Sequence, residues 1–303
     1  MEQEVREKPK LTPAQLKKRR NQRNAWLRAG IQAVFFFSMP GAFVAGFSGV
    51  KNIFQRIGAG QTLQWNSFVA ALVGLCVFTV IFGRFFCGYV CAFGTLGDFV
   101  YWLSGLVQRK VFHRKKQLQL PAKLTPWGQK VKYVILAAII ALCAFGLYDR
   151  LSGWNPWSVF SFFMALRFRL SGYWPGLVLL LLIVAGMAFR ERFFCQFLCP
   201  MGAVFALLPQ MPFAPLQRKP EQCIPGCQAC KRQCPVDIKL EPDGFLNGEC
   251  IGSERCAGVC PKNNLTRWDR KLLRSEAAAA LVKAALFFVL GVLLGLCRFI
   301  TIR

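Results

Sequence analysis

The sequence contains a single histidine, His113, and only 14 Asp and Glu residues against 39 Lys and Arg. Without a second histidine, ligation of a haem by a histidine pair is excluded, and so is a histidine-rich copper or zinc site. The shortage of acidic residues leaves a formal net charge of +25. Because the basic residues flank long apolar stretches, they match membrane topology and anionic lipid, and no nucleic-acid partner is predicted.

Apolar residues make up 54% of the 303 residues, and 29 of them are Phe, which is too apolar for a soluble domain. We predict an α-helical integral membrane protein with about five transmembrane helices, since about 20 apolar residues cross a bilayer. The segment Trp154 to Leu170 is also apolar and is predicted to be re-entrant or interfacial. The predicted spans are Trp26 to Phe47, Asn66 to Phe86, Tyr133 to Leu147, Trp174 to Phe189 and Ala277 to Leu296.

Basic residues predict the orientation of these spans. They collect in the N-terminal arm and in the loop after the second span, so both are expected to face the cytoplasm. The cysteine-rich segment after the fourth span then lies on the same side, where thiols stay reduced. The expected location is a bacterial cytoplasmic (inner) membrane, crossed several times.

Seven cysteines lie between Cys223 and Cys260, in two runs that each end in Cys-Pro. Their spacing is typical of paired iron-sulfur clusters, in which three thiolates on a tight loop bind one cluster and the fourth binds the other. The pattern predicts a small α+β ferredoxin-like module that transfers electrons. Zinc and disulfides are the alternatives, but zinc knuckles lack the Cys-Pro signature and disulfides need an oxidising compartment.

The crossed ligand pattern divides these cysteines into two sets. Ser253 stands where the usual spacing expects one more cysteine. The second cluster is then a 3Fe-4S centre, or a 4Fe-4S cluster whose fourth iron binds the Ser253 oxygen, water or a partner's group. The first set is Cys223, Cys227, Cys230 and Cys260, for a complete 4Fe-4S cluster, and the second set is Cys234, Cys250 and Cys256.

A short segment with two cysteines occurs twice. Arg84-Phe-Phe-Cys87-x3-Cys91 recurs as Arg192-Phe-Phe-Cys195-x3-Cys199, which indicates a duplicated two-helix membrane repeat. Each copy follows two predicted spans, so the copies are expected to be parallel repeats. Because helix positions four apart share a face, the four thiols are expected to meet at the cytoplasmic boundary.

Three interpretations of these four thiols remain open. They could hold a further iron-sulfur cluster or another redox metal, because four soft ligands suit such a site. They could form redox-active dithiols that exchange with disulfides. They could also be small buried hydrophobic residues without a redox role.

The chain is predicted to divide into six parts. They are a basic cytoplasmic arm (1–25), a first membrane repeat (26–108), a basic cytoplasmic loop (109–132), a second membrane repeat (133–217), a ferredoxin-type 4Fe-4S module (218–268) and a C-terminal transmembrane helix (276–297). Within the module, Glu241 to Gly244 is predicted to be a turn. Ala92 to Leu106 and Pro200 to Leu208 are predicted to be interfacial helices.

These motifs resemble those of membrane polyferredoxins of the NapH and NosR type, over about Phe82 to Asn264. The resemblance rests on the twin Arg-Phe-Phe-Cys-x3-Cys segments and on the two runs ending in Cys-Pro. It implies an electron-transfer subunit of a quinol dehydrogenase, with quinone as substrate and another redox protein or a membrane cytochrome subunit as partner. The sequence departs from the family at Ala92, at Ser253, in the spacing of Cys223 and Cys227, and in the apolar stretch after the module.

In this interpretation quinol docks between the spans, and its protons need an acceptor. Asp98 and Asp149 are the acidic candidates near membrane segments, and either could instead be a solvated interface residue. The main alternative function is that of an accessory protein for maturation, or for metal or thiol reduction, of a partner oxidoreductase. A third is a membrane anchor with vestigial clusters.

Overall fold

Helices make up most of the chain in the computed structural model, which describes residues 12–111, 113, 125–166, 172–211, 216–238, 248–267, 273 and 275–298. The α-helices are α1 (Pro13–Ser38), α2 (Ala42–Gly58), α3 (Ser67–Phe82), α4 (Ala92–Lys110), α5 (Thr125–Ala144), α6 (Pro156–Met164), α7 (Trp174–Phe189), α8 (Pro200–Leu207), α9 (Ala229–Arg232), α10 (Arg255–Val259) and α11 (Glu276–Leu293). Two π-helical turns are π1 (Phe86–Val90) and π2 (Phe194–Leu198), and two short 3-10 helices are Tyr148–Trp154 and Pro220–Gln222.

The first predicted span is not one straight helix. Thr12 and Gln15 form a capping box that starts α1 inside the predicted basic arm. α1 ends before Pro40, because proline lacks an N–H and disfavours helical backbone at the residue before it. α2 continues at a bend of 60°. The expectation of a single straight span over Trp26 to Phe47 is therefore corrected to a bent helix pair, which is a broken span or a re-entrant loop.

Two described helices, α5 and α11, are long and apolar enough to cross a membrane, and the α1–α2 pair is a third if it is one span. α3 and α7 match the second and fourth predicted spans but contain 16 residues each. That is fewer than the about 20 residues that cross a hydrocarbon core. Among the described residues, helix length therefore supports two or three membrane spans and not all of the five predicted ones.

Other predicted elements differ in their ends. α4 matches the helix predicted from Ala92 to Leu106 and continues to Lys110. α5 starts at Thr125, within the range predicted as a basic loop, and the apolar segment after Trp154 contains the short helix α6. The turn predicted for Glu241 to Gly244 lies outside the described residues.

One pair of short strands lies at the two ends of the predicted ferredoxin-like module (218–268). β1 (Gln217–Arg218) pairs with β2 (Leu265–Thr266) in antiparallel register, with Gln217 opposite Thr266 and Arg218 opposite Leu265. This pair closes the chain segment that carries the seven cysteines. The short helices α9 and α10 lie between the two strands in sequence.

Aromatic rings fill the core between the two Cys-x3-Cys segments. Phe93 of α4 stacks on Phe194 of π2, with ring centroids 4.8 Å apart, and Phe43 of α2 lies 5.3 Å from Phe93. Phe47 packs at 5.0 Å against Trp157 of α6. Such offset and edge-on pairs add to the stability given by apolar burial. They fix π2 and α4, and with them the cysteines, at the centre of the molecule.

Candidate redox site

Both Cys-x3-Cys pairs adopt the same local structure. Cys87 lies within π1 and Cys195 within π2, while Cys91 and Cys199 are the N-cap residues of α4 and α8. The turns are wider than an α-helix, because the N–H of each second cysteine donates to the carbonyl five residues earlier, at 2.9 Å. This corrects the expected α-helical spacing. Single π-helical turns occur frequently at functional sites.

The structure brings the four thiols together, and all four are buried. Cys91 and Cys195, which belong to different repeats, share a hydrogen bond. Cys87 and Cys199 both lie within electrostatic range of Cys195. The hydrogen bond with Cys91 lowers the pKa of Cys195 to about 6, against the opposing effect of burial and with help from Arg192. Of the four cysteines, Cys195 is therefore the one whose deprotonated form is favoured, and the thiolate is the form that binds metals and attacks disulfides.

Two buried arginines cross between the repeats. Arg192, of the second repeat, donates to the carbonyl oxygens of Cys87 at 2.5 Å and Gly88 at 3.0 Å. Arg84, of the first repeat, packs against Gly202, where an added Cβ would lie 3.2 Å from its Nη2. A Cβ on Gly94, the residue equivalent to Gly202, would collide with Arg192. At Gly94 the guanidinium group of Arg192 occupies the space of a side chain, and at Gly202 the guanidinium group of Arg84 leaves only a tight fit.

Each of these arginines is paired with a carboxylate. Arg192 binds Asp98 in bidentate fashion, at 2.7 Å to Oδ1 and 2.6 Å to Oδ2. Arg84 Nη1 donates to Glu249 Oε2 at 3.2 Å. Lys132 and Tyr133 of α5 bind the same carboxylate. These pairs compensate buried charge that would otherwise be costly.

Asp98, a predicted proton acceptor, lies at the centre of a charged cluster. Besides Arg192, it accepts from Arg28 at 3.2 Å and from Gln32 at 2.8 Å. Burial would raise its pKa, but Arg192 and Arg28 lower the pKa of Asp98 to about 2. This value disfavours proton uptake near neutral pH. Asp149, the other candidate, is exposed in the 3-10 helix Tyr148–Trp154 and accepts from Gln55 at 3.3 Å.

The first predicted set of cluster ligands lines one cavity of the module. Cys223 and Cys227 are exposed at its outer side, and Cys230 and Cys260 are half-buried. Asn264 donates to two of the sulfurs, from its backbone N to Cys260 Sγ at 3.4 Å and from Nδ2 to Cys223 Sγ at 3.5 Å. Four soft thiols with N–H donors directed at them fit an iron-sulfur cluster.

The second predicted set lines a neighbouring cavity. It contains Cys234, Cys250 and Cys256, with Ser253 beside them, and Cys230 lies between the two cavities. Backbone N–H groups that follow Cys234 in sequence donate to its sulfur. Four thiols and one hydroxyl therefore line this cavity, and Cys230 also lines the cavity of the first set. With Cys230 assigned to the first set, the remaining three thiols fit a cluster with one corner that lacks a thiolate.

Within the described residues, no group of three His, Cys, Asp or Glu side chains is placed to hold a single metal ion. A cluster has a different requirement, because each thiolate binds a separate iron at a separate corner.

The module is attached directly to the first Cys-x3-Cys turn. A Cβ on Gly88 would collide with the carbonyl oxygen of Ile251, so the two backbones are in contact. Arg84 donates to the carbonyl oxygen of Gly248 at 3.1 Å. On the opposite side, Asn21 of α1 donates to Gly258 at 2.9 Å. The second predicted cluster set, through Cys250, is therefore the one next to the four thiols.

Some of these residues were not identified from the sequence. Arg84 and Arg192 recur together with the cysteines in the repeated motif, so the repeat could have identified them as site residues. Glu249 and Lys132 carried no comparable signal, because their pairing depends on how the module docks onto α5.

Known proteins are similar to this chain over much of its length. The family described as "4Fe-4S binding domain" matches residues 65–117 and 173–219, and each match contains one Cys-x3-Cys pair. The chain is 28% identical over 234 residues to Protein NirI of Paracoccus denitrificans, and the matching region covers 71% of this chain and 33% of NirI. It is also 28% identical over 241 residues to the uncharacterized protein MJ0749 of Methanocaldococcus jannaschii, covering 79% of this chain and 85% of that protein.

A further relative is the ferredoxin-type protein NapH of Escherichia coli, 24% identical over 218 residues, which cover 66% of this chain and 69% of NapH. The chain therefore spans about a third of NirI and a larger share of the other two. No solved structure matches the chain. The fold, the cysteine motifs and these relatives define a membrane iron-sulfur protein of the ferredoxin type. The chain is therefore similar to ferredoxin-type membrane proteins such as NirI and NapH, which agrees with the resemblance found in the sequence.

Proposed function

We propose that the protein moves electrons between the membrane quinone pool and redox partners, as an electron-transfer subunit of a quinol dehydrogenase. The observation that carries this proposal is the contact between Gly88 and Ile251. Gly88 follows Cys87 and Ile251 follows Cys250, so the four-thiol site and the second cluster set lie on touching chain segments. Such proximity is what a continuous electron path from the membrane to the module needs.

The module residues have the role of ligands in this proposal. Cys223, Cys227, Cys230 and Cys260 hold a 4Fe-4S cluster, and the N–H donors of Asn264 stabilise its thiolates. Cys234, Cys250 and Cys256, with Ser253 as a candidate fourth ligand, hold a 4Fe-4S or 3Fe-4S cluster. When bound, the clusters supply one-electron transfer. The exposure of Cys223 and Cys227 makes the first set the side that a partner protein approaches.

The four buried thiols are proposed to be a third redox site. A family described as 4Fe-4S binding matches both Cys-x3-Cys segments, which supports an iron-sulfur cluster at Cys87, Cys91, Cys195 and Cys199. Buried thiolates are unfavourable unless nearby positive charge stabilises them. Arg84 and Arg192 are in place to provide that charge, since both hydrogen-bond to a cysteine of their own repeat.

The membrane topology is part of the same proposal. The bent α1–α2 pair, α3, α5, α7 and α11 would be the five membrane segments, with the N-terminus and the module on the cytoplasmic face. The equal conformation of π1 and π2 and the crossed positions of Arg84 and Arg192 support a duplicated repeat. The basic residues near the ends of these helices support the orientation.

Reduction by a quinol tests this function. The protein is purified anaerobically, placed in lipid nanodiscs and mixed with menaquinol, and cluster absorbance is followed by stopped flow. We expect the clusters to be reduced by menaquinol to an extent set by the quinol-to-quinone ratio. Dithionite serves as the control for intact clusters. If dithionite reduces the clusters and menaquinol does not, the protein does not exchange electrons with the quinone pool.

A second function, reduction of a metal or thiol in maturation of a partner oxidoreductase, is favoured by one observation. Cys91 and Cys195 form a hydrogen-bonded pair in which Cys195 has a lowered pKa of about 6, as in reactive dithiols. The same preparation, mixed with a disulfide or with Cu²⁺ in place of quinone, separates the two functions. Faster oxidation of the reduced protein by these acceptors than by quinone would favour the accessory function.

A further inference from the structure

A cleft of about 680 Å³ opens between α1, α4, α11 and the module. Its size is within the range of about 300–1,000 Å³ that is typical of small-molecule sites. The rim is aromatic, with the exposed rings of Trp26, Phe99 and Trp102. The floor is polar and is formed by Arg28, Gln32 and Asp98. An apolar rim over a few polar groups is the arrangement that orients an amphipathic ring.

The floor of the cleft has hydrogen-bond donors that lack an acceptor. Arg28 is buried and donates to Asp98 through Nη2. Its Nε and Nη1 have no acceptor among the described residues. A buried donor without a partner is unfavourable, so a ligand with an acceptor oxygen at this position would be stabilised.

The charges of the cleft favour a neutral ligand over an anion. Among the charged residues that line it, Asp98 is paired with Arg28 and Arg192, and Glu254 is paired with Arg267 and Lys283. These ion pairs already compensate the carboxylates, so a neutral carbonyl oxygen adds no charge that would need a new partner. The exposed aromatic rings, in turn, match a flat ring with an apolar tail.

The cleft also borders both redox sites. Ser253 and Glu254 line the cleft and, equally, the cavity of the second cluster set. Gln32, on the floor, donates to the carbonyl oxygen of Gly88 at 3.2 Å, within the first Cys-x3-Cys turn. A ring bound here would therefore be separated from either site by about one side chain.

We propose that this cleft binds the head group of a quinone or quinol, with a ring oxygen accepting from Arg28 and the tail leaving past Trp26 and Trp102 towards the lipid. The inference deepens the proposed function and rests on it. Ser253 is then the residue between the bound ring and the corner of the second cluster that lacks a thiolate.

Photolabelling tests the location. The anaerobic holoprotein in phosphatidylcholine nanodiscs is irradiated with an azido-naphthoquinone, with and without excess menaquinone, and the labelled peptides are identified by mass spectrometry. We expect menaquinone-sensitive labels on the peptides of α1 and α4 that line the cleft. Ala29→Trp places a large ring in the cleft and is expected to weaken labelling about tenfold. Val34→Trp adds a ring of the same size to an exposed face of α1 outside the cleft, and should label as the wild type does.

Equal labelling of Ala29→Trp and the wild type, labels elsewhere in the chain, or phospholipid retained in the cleft in place of quinone would overturn the proposal. Iron content of each variant shows that the protein is folded and loaded. Menaquinol reduction of the wild type reports separately on the proposed function. If menaquinol reduces the wild type and Ala29→Trp equally fast, the cleft is not the quinone site, although the proposed function still holds.

Discussion

The carbonyl oxygen of Ile251 occupies the position that a side chain on Gly88 would need. This contact joins the ferredoxin-like module to the first Cys-x3-Cys turn at the residues next to Cys250 and Cys87. Glycine at this position is thus a condition for close approach of the two proposed redox sites, since any larger residue must separate the backbones.

Substitution of Gly88 tests whether this contact matters for electron transfer. Gly88→Ala should force the segments apart and cost about 1–3 kcal/mol, as overpacking does. We expect slower reduction of the module by menaquinol with unchanged iron content, and faster amide exchange around Ile251. Gly30→Ala, in open space on α1, is the matched control. Equal reduction rates in the two variants would show that electron transfer does not depend on the contact between Gly88 and Ile251.

Asp98→Asn should be strongly destabilising. It removes the charge that compensates Arg192, which is buried, and loss of one partner of a buried pair costs about 3–5 kcal/mol. Asp149→Asn, at an exposed site, should change stability by less than about 0.5 kcal/mol. Unfolding of both variants in detergent measures the difference. Menaquinol reduction of the same two variants tests the proton-acceptor role, and slower reduction of Asp149→Asn alone would assign that role to Asp149.

The ion pairs of Asp98 should keep its carboxylate deprotonated at neutral and mildly acidic pH. Its pKa of about 2 is below the usual value of about 3.9, because Arg192, Arg28 and Arg255 outweigh burial. The stability that Asp98 contributes is therefore fully present above about pH 4 and is lost as the pH falls towards 2. Infrared difference spectra of wild type against Asp98→Asn should show no carboxylic acid band from pH 8 down to 5. A band that grows in between pH 7 and 5 would contradict the assignment.

Ser253→Cys should alter one cluster only. Ser253 lines the cavity of the second set and is absent from the lining of the first. A cysteine there supplies the soft ligand that the corner lacks. We expect the EPR signal of the second cluster to change, with a gain of iron if the wild-type centre is 3Fe-4S, while the signal of the first stays the same. Ser152→Cys, exposed and outside the module, is the control. An unchanged spectrum would exclude Ser253 from the open corner.

The sequence predicted the parts of the fold that depend on local hydropathy. α7 has the bounds expected from the apolar run, and α3 and α11 differ only at their ends. The bend before α2 was missed because the apolar run continues through Pro40. The π-helical turns were missed because the Cys-x3-Cys spacing also fits one turn of an α-helix.

The sequence pointed to the cysteines of the site and to Asp98 as a proton acceptor, but it did not predict the ion pairs around them. Cys spacing carries the ligand pattern within a short segment, so the grouping of the module cysteines could be derived locally. The pairs Arg84 with Glu249 and Arg192 with Asp98 join residues far apart in sequence. Their partners depend on docking of the module and on the crossing of the repeats, which periodicity does not specify.

Metal analysis tests whether the four buried thiols hold a cluster. Anaerobically purified wild type and a Cys87→Ala/Cys195→Ala double variant are compared by iron and sulfide content and by EPR. We predict that the variant loses the iron and sulfide of one centre and one EPR signal, while both module clusters remain. Unchanged iron, sulfide and EPR in the folded double variant would contradict a cluster at Cys87, Cys91, Cys195 and Cys199.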